Sequence, residues 1–421
     1  MALLAISQDC LALGVSHKVF VYRIVSDGLP AYSDFLDLSP LSASLPLTKN
    51  VDGSEKKEQL LAHHNITVLS IAFSGNGNCL AVATSAKTVL LFSRSESSFA
   101  FLRGFRIPKS PTKIIFDPSE SHVVVADRAG CVRLYSLSAG VESLPEDHED
   151  SEEYGFEGKL MCHAISMFLD MTFSPCGRFL CVADRDQKIR IYRYPQTFLL
   201  ETICLGHTEY VESLAWANDI LLSSGGDGLV LGWNALTGEN VVHSSRESPL
   251  SSLCSFTQDG EGRVAGLSKD KRSVYVFSLN GKELQCLTSF PVSAEPFSIS
   301  ASSHSVFSVS RQGNSVGGRP SNSQCSFHRK SLEVFSLSKR EIRMVEVDEE
   351  VAELLDAAKP VLGDLTKKTA FDNLGQYHIN KLAKLKKKAE KRRAGREKLH
   401  AAKRVAMKEQ SPSPGAPSEL P

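Results

Sequence analysis

Val125-Ala-Asp-Arg-Ala-Gly-Cys-Val-Arg-Leu-Tyr135 and Val182-Ala-Asp-Arg-Asp-Gln-Lys-Ile-Arg-Ile-Tyr192 are two versions of one phrase. Each runs from apolar residues through a polar turn into an alternating segment that ends on an aromatic ring. This is the pattern of a β-hairpin in which every second residue faces a core. The same ending recurs at Tyr22, Phe92, Trp233, Phe277 and Phe335, so successive aromatic positions lie 70, 43, 57, 41, 44 and 58 residues apart. The shorter spacings match the roughly 40–45 residues of a four-stranded propeller blade. Seven units predict an all-β, seven-bladed propeller over residues 1–340. The excess length falls in polar stretches, 25–60, 139–162 and 311–330, which read as loops. A blade cannot bury both faces alone, so the N-terminal strands (about 3–24) must meet the last blade (about 296–337) to close the ring. Segment 341–368 is then a closing connection, with a further strand or a short helix around Val351–Ala358.

The fifth unit contains Gly206-His207, Trp216, Leu221-Leu-Ser-Ser-Gly-Gly-Asp227-Gly and Trp233, and it resembles the WD repeat. The resemblance implies a WD-repeat propeller and a buried network of His207, Asp227, Trp233 and either Ser223 or Ser224. Asp227 stands six residues before Trp233. Asp186 stands six before Tyr192 and is expected in the same place in the fourth unit. The third unit has Ala129 there, which leaves its network incomplete. Such a network satisfies its own polar groups and locks a turn, so these residues read as structural and not catalytic.

The chain has 421 residues, 42% hydrophobic and 23% charged, with 48 basic and 48 acidic residues. The balance hides an asymmetry: residues 381–408 carry 13 Lys/Arg against 2 Glu, and the rest of the chain is correspondingly acidic. A strongly basic segment suits a polyanionic partner. No apolar run reaches about 18 residues, so a membrane span is not expected. The mildly apolar N-terminus is interrupted by Gln8-Asp9 and reads as a strand, not a signal peptide. The ten cysteines, among them Cys79, Cys131, Cys181 and Cys254, show neither a CxxC pair nor ligand spacing. They read as free thiols in a reducing compartment, with no metal site. The phosphate-binding, zinc-protease and nucleophile-elbow motifs are all missing, which points away from an enzyme.

Segment 142–157 has eight acidic residues and reads as a solvated loop. Segment 311–330 and residues 409–421 read as disordered. In the tail, 369–408, Leu374, Tyr377 or His378, Leu382, Leu385 and Ala389 recur at steps of three or four, a thin apolar stripe on a basic helix. Lys384, Lys386, Lys387, Lys388, Lys391, Arg392 and Arg393 are the expected RNA-phosphate contacts. A nuclear-import signal or a solubilising tail explains the same residues.

A closer resemblance rests on Leu169-Asp-Met-Thr-Phe-Ser-Pro, Phe179-Leu-Cys-Val-Ala-Asp-Arg-Asp-Gln-Lys-Ile-Arg190 and Cys204-Leu-Gly-His-Thr-Glu-Tyr-Val211. It rests also on Ala370-Phe-Asp-Asn-Leu before the lysine-rich run. Together these resemble the non-catalytic WD-repeat subunits of tRNA (guanine-N7) methyltransferase. The resemblance implies a heterodimer. The expected location is the nucleus, with the cytoplasm as a second compartment. The catalytic partner would bind S-adenosylmethionine and methylate a variable-loop guanine of tRNA at N7, and this chain would carry no cofactor. It also implies that Arg185 lies at the subunit interface, with Lys188, Arg190 and Arg128 as neighbouring candidates. The alternative for Arg185 is that it braces its own turn through Asp184 or Asp186. For the chain, the competing readings are a nuclear WD-repeat scaffold in ribosome assembly or chromatin, and a propeller enzyme with a site in its central channel.

Overall fold

The structure is a computed structural model. It describes residues 2–358 except 26–28, 46–65, 96–97, 139–157, 245–248, 259, 269, 282, 293–294, 312–331, 338 and 346. The expected acidic loop, the Ser/Gly-rich segment and the whole basic tail lie outside the described residues.

The first blade comprises β1 (Ala2–Ile6), β2 (Cys10–Val15), β3 (Lys18–Ile24) and β4 (Pro30–Asp37), and it is followed by helix α1 (Leu38–Ser44). The second comprises β5 (Val68–Phe73), β6 (Cys79–Thr84), β7 (Thr88–Arg94) and β8 (Phe99–Arg106). The third comprises β9 (Pro111–Phe116), β10 (His122–Asp127), β11 (Cys131–Ser136) and β12 (Lys159–His163). The fourth comprises β13 (Phe168–Phe173), β14 (Phe179–Asp184), β15 (Lys188–Arg193) and β16 (Leu200–Leu205). The fifth comprises β17 (Val211–Ala217), β18 (Ile220–Gly225), β19 (Val230–Asn234) and β20 (Asn240–His243). The sixth comprises β21 (Ser252–Gln258), β22 (Glu261–Ser268), β23 (Ser273–Asn280) and β24 (Glu283–Pro291). The seventh comprises β25 (Glu295–Ala301), β26 (Ser305–Arg311), β27 (Leu332–Ser336) and β28 (Glu341–Val345), and helix α2 (Glu349–Ala357) follows.

Every blade is an antiparallel meander built from one continuous stretch of chain, and one parallel pair, His243 with Glu283, joins the fifth and sixth blades. The fold is an all-β WD propeller. Each of the seven recurring aromatics sits on the third strand of its blade. There it packs into the apolar clusters between neighbouring sheets, as Tyr135 does with Phe105 and Trp233 with Ile191.

The stretches read as loops at 25–60 and 139–162 need correction. The first contains β4 and α1, and the second ends in β12. Outermost strands turn one side to water, and β4 (PAYSDFLD) is mostly exposed or half-buried. Its polar composition hides the strand because only Pro30 and Leu36 are buried, too few to make an apolar alternation.

Adjacent innermost strands are stitched by side chains. Ser70 Oγ accepts from the Ile114 amide (3.0 Å), Asp170 Oδ2 from Leu214 (2.8 Å) and Ser213 Oγ from Leu253 (2.9 Å). Closure uses the same device, with the Leu4 amide donating to Ser298 Oγ at 3.3 Å. Among the described residues no strand is exchanged between the last and first blades, so beyond that bond this seam depends on packing. Phe20 and Tyr22 from the first blade meet Phe307 and Val334 from the seventh, and α2 lays Val351 and Leu355 over the join. Glu349 and Glu350 occupy the first turn of α2, where the helix dipole favours negative charge, and Glu350 also pairs with Lys18.

Candidate partner-binding face

The turns after the second strand of the third, fourth and fifth blades hold the residues singled out by sequence. In the fifth blade the network is complete. Trp233 Nε1 donates to Ser223 Oγ (2.8 Å), Ser223 meets His207 Nε2 (2.7 Å) and His207 Nδ1 meets Asp227 Oδ2 (2.8 Å). Asp227 also accepts from the Thr208 and Leu229 amides. Burial pushes His207 below its ordinary 6.5, outweighing the pull of Asp227. A neutral ring fits this chain of bonds, donating from Nδ1 and accepting at Nε2. Ser223, and not Ser224, is the hydroxyl used. It is fully buried and already engaged by Trp233, so the Ser–His–Asp order offers no nucleophile to a substrate.

The fourth blade corrects two expectations. Asp186 is exposed and is not part of a buried network. The turn is instead held by Asp184, at the end of β14 and fully buried. Its Oδ1 accepts from the Asp186 amide (2.8 Å) and the Lys188 amide (3.0 Å), and its Oδ2 pairs with Arg190. Counting six residues back from the aromatic selects the turn position. The strand-end carboxylate, eight residues back, is closer to the amides that need an acceptor. Arg190 is therefore committed inside the blade and is not a free contact.

Arg185 is in a different position. Its amide donates to the Met167 carbonyl (3.0 Å), which fixes the turn against the loop before β13. The residue is half-buried, and its buried Nε has no hydrogen-bond partner among the described residues. Asp184 is occupied by other groups and does not brace it. Arg128 repeats the arrangement one blade earlier, with its amide on Ser110 O (3.0 Å) and an unpartnered Nε. Lys188 is half-buried, with its backbone tied to Asp184.

Two apolar residues that the sequence reading missed join this face. Leu205 stands opposite Lys188 in the β15–β16 register and is 66% exposed. Ile165 is fully exposed in the loop before β13, two residues from the carbonyl that holds Arg185. Each has apolar neighbours in sequence, Ala164 and Met167 or Ile203 and Cys204, so nothing in the sequence marks it as exposed. Cations without partners beside exposed aliphatic side chains suit a protein surface that supplies carboxylates and apolar contact. Among the described residues no group of three His, Cys, Asp or Glu could hold a metal ion, and no helix is long and apolar enough to cross a membrane.

Residues 140–269, which include Arg185, Lys188, Ile165 and Leu205 but not Arg128, match the family described as tRNA methyltransferase TRM82 WD40 domain, and residues 55–93 match the WD domain, G-beta repeat. A Caenorhabditis elegans protein named tRNA (guanine-N(7)-)-methyltransferase non-catalytic subunit is 29% identical over 83% of both chains. The chain is thus similar over most of its length to a non-catalytic subunit of this enzyme. A Xenopus laevis member is 27% identical over 70% of this chain and 69% of its own. The human member is 32% identical over 41% of this chain and 39% of its own. A chain of the mitotic checkpoint complex crystal structure superposes with a TM-score of 0.55 at 14% identity, covering 73% of this chain and 86% of that one. That likeness concerns the fold alone. The shared region of the family runs from β12 to β22, the blades that carry Arg185, Lys188 and the His207 network.

Proposed function

We propose that this chain is the non-catalytic scaffold of a tRNA (guanine-N7) methyltransferase, docking the catalytic subunit on the face around Arg185. The observation that carries this reading is Arg185 itself. It is held rigidly by its backbone, its Nε is unpartnered, and Arg128, Lys188, Ile165 and Leu205 surround or extend its position. A partner carboxylate there would form a charge-assisted, two-pronged pair. S-adenosylmethionine belongs on the catalytic subunit in this reading, and this chain binds no cofactor. The basic tail, with Lys384, Lys386, Lys387, Lys388, Lys391, Arg392 and Arg393, grips tRNA phosphates, while base choice stays with the catalytic subunit and tRNA shape. The complex works in the nucleus.

The test is co-expression with the catalytic subunit. Arg185→Ala is expected to weaken assembly by roughly 2–5 kcal/mol, measured by equilibrium titration. Neutralising the seven tail cations is expected to leave assembly intact while lowering tRNA affinity and flattening its salt dependence. A normal heterodimer with Arg185→Ala removes the interface assignment. An unchanged tRNA salt slope removes the tail assignment.

A further inference from the structure

The innermost strands of the second, third and fourth blades end alike: Ala72-Phe73, Ile115-Phe116 and Thr172-Phe173, each followed by a polar turn. The three rings are half-buried, and they line one cavity of about 340 Å³. That is the low end of the roughly 300–1,000 Å³ of small-ligand pockets. Glu120 and Asp117 supply the charge of the lining, and no basic side chain contributes to it.

The two carboxylates differ in what they can still do. Asp117 is used up. It accepts from Ser119, from the His122 amide (2.8 Å) and from Tyr194 (3.1 Å). Burial alone would raise its carboxyl, but these bonds outweigh burial and hold it below the ordinary carboxylate value. Glu120 accepts at Oε1 from the Asn76 amide (2.9 Å), and its Oε2 has no hydrogen-bond partner among the described residues. These bonds tie the third blade to the second through Asn76 and to the fourth through Tyr194, whose ring meets Phe173 edge-on with centroids 4.8 Å apart. The walls are therefore fixed before any ligand arrives, which lowers the ordering cost of binding.

We infer that this pocket receives a lysine or arginine side chain presented by a second partner protein, its cationic head at Glu120 and its stem against Phe73, Phe116 and Phe173. Charge complementarity selects that occupant: aromatic faces and a carboxylate attract a cation, and nothing in the lining repels it. The β13–β14 turn that follows Phe173 and the β14–β15 turn that holds Arg185 lie at opposite ends of β14. The pocket thus opens on the face away from Arg185, and both faces can be occupied together.

The test uses the full chain with N-acetyl-argininamide, its lysine counterpart and neutral N-acetyl-citrullinamide, titrated by saturation-transfer NMR. The cationic probes are expected to saturate and the citrulline probe to bind at least about tenfold more weakly. Glu120→Gln, which keeps the acceptor for Asn76, is expected to weaken the cationic probes about tenfold at an unchanged thermal midpoint. Phe116→Leu is expected to weaken them severalfold, and Arg185→Ala to leave them unaffected. The inference is overturned by equal binding of the citrulline probe, by no saturation of the cationic probes, or by full affinity in both folded pocket variants. Loss of binding in Arg185→Ala would move the site to the other face.

Discussion

The third and fourth blades carry the same phrase, Ala-Asp-Arg, in the same turn, and the structure uses it differently. In the fourth blade Asp184 holds two amides with one oxygen and Arg190 with the other. In the third, Asp127 holds the Ala129 amide (2.8 Å) and the Cys131 amide (3.1 Å), but Arg133, the counterpart of Arg190, forms no ion pair with it among the described residues. Burial raises the Asp127 carboxyl above its ordinary value, against the lowering from those amides and from Arg133 and Lys109. The left-handed position of the turn is also filled differently. Gly130 (φ +78°) has no room for a side chain, since a Cβ would lie 2.3 Å from the carbonyl oxygens of Ala164 and Ser166. Gln187 holds φ +73° in the fourth blade, and its amide nitrogen donates to Thr208 O at 2.6 Å, anchoring the turn to the fifth blade. The strain of a non-glycine residue at that angle is offset by a bond between blades. The lesson is that one motif yields a rigid, cross-braced turn in the fourth blade and a looser copy in the third.

The sharpest way to break this comparison is one substitution in both blades. Asp184→Asn keeps an acceptor for the two amides but strands Arg190, and it is expected to cost about 3 kcal/mol in urea unfolding. The fifth-blade network comes next. His207→Ala removes the bridge between Ser223 and Asp227 and is expected to cost about 2 kcal/mol near neutral pH. His207 has a lowered folded value, so its contribution is complete above about 6.5 and is lost as pH falls through the folded value. The gap between wild type and His207→Ala should therefore narrow between pH 7.5 and 5.5.

Asp127→Asn sharpens the contrast from the other side, with an expected change within about 0.5 kcal/mol at neutral pH. The Asp127 carboxyl is raised in the fold, so its ionised form opposes folding. That cost grows as pH rises from the unfolded carboxylate value through the folded one. The substitution should thus look relatively better at pH 7 than at pH 3. The smallest effect is reserved for Arg185→Ala, whose thermal midpoint should match wild type even as assembly fails. A large loss of stability there would mean that Arg185 braces the fold after all.

Much of the architecture was legible because it is periodic. Seven aromatic endings mark seven third strands, since each must bury a ring between sheets. The outermost strands β4 and β12 were not legible, because strands exposed or half-buried along most of both faces carry no apolar alternation. In the candidate face, Arg185, Arg128 and Lys188 stand out by their repeated phrase. Ile165 and Leu205 do not, because exposure of a single aliphatic residue is a property of the assembled surface.

The sequence by itself determined the blade count and the seven third-strand aromatics, because these follow from local spacing and alternation, and its resemblance to the WD repeat named the His207–Asp227–Trp233 trio. Only the tertiary structure decided which carboxylate each turn uses, that Arg190 is committed and Arg185 is not, and that three phenylalanines from separate blades share one pocket. Those outcomes depend on which groups lie within about 3 Å of each other across blades, and hydrogen bonding at that range is set by packing between segments far apart in the chain.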